Sequence, residues 1–292
     1  MIGLLACAIG QRPLGEGEAP NLVVLLPAEA AAYPEEADAL VRVWAAVEAR
    51  ERAVPALLAS QWSPREGANT LPGVLSLYGY HTAAAGLSEP GFRDVASPAW
   101  LTSADEPFLV VDATGASVDA WRDALRERRL LARTAVVVVP LDGFDSPRLL
   151  AWYGPRAPAA LADGALASTL DVMPTLVRAG RGTVPTDAVG TDLADGAARR
   201  RAVFQEAADG AFVVRSWEHV LRVRVAEPLP SACPDDAVLT DAAGAPSSDP
   251  EARAALWEAM RAWRGRLAAK TARERLGADD FTRLNAEQGY WQ

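Results

Sequence analysis

The sequence predicts an α/β fold: a central, mostly parallel sheet with helices on both faces, plus a small C-terminal α+β subdomain. Three observations predict it. Asn21-Leu22-Val23-Val24-Leu25-Leu26, Phe108-Leu109-Val110-Val111-Asp112 and Thr134-Ala135-Val136-Val137-Val138-Val139 are unbroken apolar runs of strand length, as strands buried on both faces require. Helical patterns separate these runs, which implies right-handed crossovers. After about residue 198 the pattern changes to short strands at hairpin spacing.

In chain order, residues 1–19 form a lead-in that is rich in Gly, Pro and Glu from residue 8. Pro27 closes the first strand. Leu40, Val43, Trp44, Val47, Val54, Leu57 and Leu58 recur at helical spacing, predicting one long amphipathic helix over 35–60 that Pro55 divides. A helix follows near Leu71 to Leu77, then a turn and a short buried strand in Gly79-Tyr80-His81-Thr82-Ala83-Ala84-Ala85-Gly86. Asp119 to Leu131 reads as a helix leading into the Thr134 strand. Ala202–Glu206, Ala211–Ser216 and His219–Val225 read as strands joined at Asp209-Gly210 and Trp217-Glu218. Asp249 caps a final helix with Pro250 in its first position. Trp44, Trp121, Trp257 and Trp263 sit on helical patterns and read as core. The domains expected are therefore 20–198 and an appendage over 199–292.

Composition narrows the function. A net charge of −9 and a pI near 4.9 argue against nucleic acid, because nothing neutralises a phosphate backbone. No basic run offers a patch for anionic membrane, and no apolar run reaches the ~20 residues of a transmembrane span. Lys270 is the single lysine among 29 basic side chains, a bias that fits a GC-rich bacterial genome. With two histidines, His81 and His219, a multi-histidine metal site is excluded. The two cysteines, Cys7 and Cys233, make neither a disulfide framework nor a zinc site. Leu4-Leu5-Ala6-Cys7 resembles the lipobox of a bacterial lipoprotein, but too few residues precede it for a signal peptide. If the true start lies upstream, the expectation is an exported, periplasmic or lipoprotein-anchored protein lipidated at Cys7; otherwise it is cytoplasmic.

Several collinear segments resemble the sulfatase family of the alkaline-phosphatase superfamily. Pro20-Asn21 with the run behind it resembles the family's first strand, which ends in paired aspartates. Gly79 to Gly86 resembles its Gly-Tyr-x-Thr strand, and Glu106-Pro107-Phe108-Leu109-Val110-Val111 a third. Thr134 to Gly143 resembles the strand closing in Ser-Asp-His-Gly. Leu170-Asp171-Val172-Met173-Pro174-Thr175-Leu176 and Gly190-Thr191-Asp192-Leu193 follow in the family's order. Val238-Leu239-Thr240-Asp241, Ser248-Asp249-Pro250-Glu251 and Gln288-Gly289-Tyr290 resemble its tail. The resemblance implies an alkaline-phosphatase-like sheet and a site built from formylglycine, calcium, lysines and histidines, which together stabilise charge developing on sulfate.

Residue by residue, most of that chemistry is missing. The paired aspartates fall on Ala28 and Glu29; alanine has no ligand oxygen, while Glu29 retains one. Trp62-Ser63-Pro64-Arg65 is the nearest approach to Cys-x-Pro-x-Arg, with no cysteine and with Pro and Arg adjacent; Ser63 and Arg65 are its weak catalytic remnants. Leu87 stands for the sulfate-binding lysine, Gly115-Ala116 for a histidine, and Pro140-Leu141-Asp142-Gly143 keeps one carboxylate of Ser-Asp-His-Gly. Glu29 and Asp142 would hold calcium if the site is partly retained. Carboxylates at such positions more commonly face solvent or cap a helix. Trp62 would plug the former cavity or stack on a sugar, and Asp171 and Thr175 would fix a helix start. The expectation is a catalytically inactive sulfatase-like protein that binds a sulfated or phosphorylated ligand or pairs with an active homologue. The alternative is a sulfuric- or phosphoric-ester hydrolase rebuilt around Ser63 or Thr70.

Overall fold

The computed structural model describes residues 15, 17–27, 37–61, 64, 68–102, 106–158, 166–195, 202–224 and 229–265. The strands of the large sheet are β1 (Asn21–Leu25), β2 (Ala39–Trp44), β3 (His81–Ala85), β4 (Asp94–Val95), β5 (Phe108–Asp112), β6 (Thr134–Val138), β7 (Arg148–Tyr153) and β8 (Ala167–Ser168). They lie in the order β4-β3-β5-β1-β6-β7-β2-β8, and all pairs are parallel except those that β7 makes with β6 and β2.

Alternate residues of the central strands feed the two faces, as the period of a strand demands. Leu22, Val24, Leu109, Val111, Ala135 and Val137 pack beneath helices α1 (Arg50–Ala59), α2 (Leu71–Leu77) and α4 (Val172–Ala179). Val23, Leu25, Val110, Val136 and Val138 pack on the other face against Trp121 and Leu125 of α3 (Val118–Glu127).

Two elements differ from expectation. The helix expected over 35–60 is strand β2 followed by α1. Leu40 and Arg42 are exposed while Val41 and Val43 are buried, a period of two, so the edge beside β7 claims this segment for the sheet. Trp44 is buried as expected, but on a strand. Pro55 does not divide α1: it forfeits one backbone bond, and burial of Ala53, Ala56, Leu57 and Leu58 holds the helix. Helix α3 stops at Glu127, and Leu131–Arg133 forms a separate 3-10 turn after Arg129, whose φ is 60°.

The second sheet, in order β12-β11-β10-β9, is antiparallel throughout: β9 (Val203–Glu206), β10 (Phe212–Arg215), β11 (His219–Val223) and β12 (Val238–Asp241). Gly210, at φ 78°, makes the turn between β9 and β10. Helix α5, over 250–265, starts where Asp249 accepts the N–H groups of Glu251 and Ala252. Its Leu256, Trp257 and Met260 cover Val214, Leu221 and Leu239. The small sheet is fastened to the large one by backbone and side-chain bonds. Glu206 exchanges bonds with Ala46 and Glu48 (2.8 and 3.0 Å), and the buried Gln205 amide donates to the carbonyls of Ala45 and Phe144 (2.7 and 2.8 Å).

Candidate functional site

Parallel α/β sheets hold ligands beyond the carboxyl ends of their strands. β1, β3, β5 and β6 point the same way, and their pairing persists to the last residue: Leu26 N–H donates to Asp112 O, Ala113 to Ala85 O and Val139 to Leu25 O (2.8, 2.9 and 2.9 Å). The chain therefore leaves all four strands at one edge, and the loops carrying Leu87, Gly115-Ala116 and Asp142 share it. Ala28 and Glu29 lie outside the described residues, as do Cys7, Trp62, Ser63, Arg65 and Lys270.

What is described at this edge is quiet. Leu87 is half-buried against the main core. Asp142 is half-exposed, with Oδ2 3.4 Å from Arg148 Nε. The buried carboxylate at the edge is Asp112, whose Oδ1 accepts Thr114 N–H and Oγ1–H (2.8 and 2.6 Å) and whose Oδ2 accepts Trp121 Nε1–H (2.7 Å). It locks α3 and the following turn to β5.

Both histidines lie elsewhere. His81 opens β3, at the amino edge, with Nε2 2.6 Å from Asp94 Oδ2 and its ring edge-on to Trp100. Trp100 and His81, in that order, hold the Asp94 carboxyl below its usual range. His219 is on the small sheet, 3.9 Å from Asp249 at the start of α5.

The segment joining β2 to α1 runs beside the Asp142 loop: Ala45 N–H donates to Gly143 O (2.9 Å) and Ala46 N–H to Thr169 Oγ1 (3.0 Å). Arg52 then pairs with Glu206 (2.8 Å), which raises the guanidinium pKa further. The Ser63 segment departs from the other end of α1. Asp187 holds both its flanks, accepting from Gln61 Nε2 at 3.0 Å and from Asn69 N–H and Nδ2 at 3.2 and 3.1 Å. Thr70 caps α2, its Oγ1 accepting Gly73 N–H at 3.4 Å.

Asp171 and Thr175 do fix a helix start, within a larger knot. Asp171 accepts from Ser168 N–H and Thr191 N–H, both at 2.8 Å, and Thr175 Oγ1 accepts Leu193 N–H at 2.8 Å. Ser60, in the left-handed region at φ 53°, donates to Leu170 O (2.7 Å) and accepts Gly190 N–H (2.8 Å). A Cβ on Gly190 would lie 1.9 Å from Leu170 O, so no other residue fits there.

Of the two expected calcium ligands the structure describes Asp142, while Glu29 lies outside the described residues. Among the described residues no three of His, Cys, Asp and Glu gather as cation ligands, and Asp142 is engaged with Arg148.

A feature the sequence reading missed is a cleft of about 350 Å³ between the Phe144–Asp145 loop and the face of β10, β11 and β12. Arg215 lines it, buried, with its guanidinium 4.5 Å from the Trp44 ring centroid and its Nε donating to Gln205 Oε1 at 3.1 Å. The sequence signal was an arginine closing a strand run of apolar residues, Phe212-Val213-Val214-Arg215.

No family model and no curated protein matches the chain by sequence. Solved structures do match by shape. A 2-O GAG sulfatase superposes with a TM-score of 0.59 at 13% identity, covering 88% of this chain and 94% of that one. An alkaline-phosphatase-superfamily protein from Vibrio parahaemolyticus gives 0.59 at 15%, covering 87% and 89%. A phosphonate monoester hydrolase of Agrobacterium radiobacter gives 0.56 at 13%, covering 87% and 96%. With the strand order and the small antiparallel sheet, these likenesses give the chain the sulfatase-like fold of the alkaline-phosphatase superfamily.

Proposed function

We propose that this chain is a sulfatase-like protein that acts by binding and not by ester hydrolysis. The observation that carries the reading is where the chemistry-bearing side chains lie. Ester cleavage needs positive donors already placed around the developing charge, and losing one such donor typically costs ~100-fold or more in rate. At the carboxyl edge the described loops present Leu87, Gly115-Ala116 and an Asp142 turned to Arg148. His81 stands at the opposite edge and His219 on the other sheet, each beside an aspartate. Thr70 is committed to a helix cap, which weakens the case for a hydrolase rebuilt around it. A binding role fits a sulfated or phosphorylated ligand, or pairing with an active homologue.

The test is turnover of 4-nitrophenyl sulfate and 4-nitrophenyl phosphate with and without added calcium. The expected result is no saturable activity. Metal-dependent, saturable turnover abolished by Asp142→Ala would overturn the reading.

A further inference from the structure

The Arg215 cleft carries an inference of its own. A buried cation is costly unless a counter-ion and hydrogen bonds satisfy it. The Arg215 side chain is 8% exposed, yet among the described residues its nearest carboxylate oxygen is Asp145 Oδ1 at 4.0 Å, on a side chain 92% exposed. Its other partners among the described residues are neutral: Gln205 Oε1, the Trp44 ring, and the Phe144 carbonyl at a long 3.5 Å from Nη2. Burial pushes the guanidinium pKa down and distant Asp145 only partly offsets it. The Trp44 indole N–H beneath it also lacks an acceptor among the described residues. Gln205 holds the guanidinium in place through its own bonds to Ala45 and Phe144, so the charge is positioned in advance.

On the wall of the cleft, Arg222 adds a second guanidinium, sharing Asp209 with Arg224. Thr240 lines it too. The volume, about 350 Å³, is at the small end for organic ligands and suits a monosaccharide-sized molecule.

We propose that this cleft binds a small molecule bearing a tetrahedral oxyanion ester, sulfate or phosphate, with Arg215 as the anion-binding residue and Asp145 as the group the anion displaces. The guanidinium fork matches such oxyanions in two parallel bonds. The anion follows from Arg215 alone; the choice of an ester of this kind rests on the binding reading above.

The test is calorimetric titration of the full chain with glucosamine 6-sulfate, glucosamine 6-phosphate and glucosamine at constant ionic strength. The esters are expected to bind and glucosamine, which carries the same amine but no oxyanion, to bind at least tenfold more weakly. Arg215→Gln, which keeps a polar contact to Gln205, should weaken the esters about tenfold or more. Asp145→Asn, at a side chain 92% exposed, should tighten them severalfold by removing the competing charge. The sulfate and phosphate arms distinguish the two esters. Absence of ester binding to both the natural chain and Asp145→Asn, or affinities that neither variant changes, would overturn the proposal. Turnover of an aryl sulfate would instead overturn the non-catalytic reading and leave the cleft standing.

Discussion

Asp171 and Arg215 are both ionisable and both buried, but the chain treats them in opposite ways. Asp171 is surrounded by donors: Ser168 N–H, Thr191 N–H and Thr191 Oγ1–H all point at it, and Ser60 and Gly190 close the knot around it. Asp112 is satisfied in the same manner by Thr114 and Trp121. Arg215 has good geometry for holding its charge in place and, among the described residues, no carboxylate closer than 4.0 Å. A charge whose partners are all internal serves the fold; a positioned charge at the wall of an open cleft, without a close counter-ion, is free to serve a ligand.

That contrast can be broken by measurement. The largest effect is expected at the knot: Asp171→Ala leaves several buried donors unsatisfied and should destabilise by about 3–5 kcal/mol in urea unfolding. A loss under about 1 kcal/mol would show that the knot is not structural. Gly190→Ala drives a methyl into the Leu170 carbonyl and should cost about 3 kcal/mol, read as a fall in Tm. Trp121→Phe keeps an aromatic ring but strips Asp112 Oδ2 of its donor, for about 1–3 kcal/mol. Arg215→Met should cost less than any of these, about 1 kcal/mol, because removing an uncompensated buried charge offsets the lost stacking on Trp44. A loss as large as that of Asp171→Ala would make Arg215 a structural residue.

The smallest effect concerns acid. Ala211 N–H, Arg224 and Arg222, in that order, hold the Asp209 carboxyl far below its usual range. Its folded pKa is depressed, so its contribution is present above the usual aspartate value of about 4 and is lost as the pH falls below it. Asp209→Asn should therefore lower the urea midpoint slightly at pH 7, with the gap to the natural chain closing towards pH 2. A gap that widened in acid would contradict the sign.

The elements legible in the sequence were those whose burial is symmetric. β1, β5 and β6 are apolar on both faces, so an unbroken run of Val and Leu marks them. Asp209-Gly210 and Asp249-Pro250 were legible because turn and cap chemistry is local. β2 was not. Leu40, Val43, Trp44 and Val47 fall at helical spacing with the apolar residues of α1 and imitate a helical stripe, although Leu40 is exposed on the strand. β7 went unread because Leu149-Leu150-Ala151-Trp152-Tyr153 has no strict alternation and takes its place only from β6 and β2 on either side.

The site divides along the same line. Composition alone limited the chain to one lysine and two histidines, and the order of its motifs pointed to the sulfatase-like sheet. The placement of those histidines, one at the amino edge of β3 and one on the small sheet, is a matter of strand direction. So is the cleft: Arg215 meets Trp44, Phe144 and Asp145 only because β9 hooks onto the segment after β2 and brings β10 with it. Residue types and local patterns set which groups exist and which segments bury. Which groups meet is decided by contacts between residues 61 and 71 positions apart, and no local pattern records those.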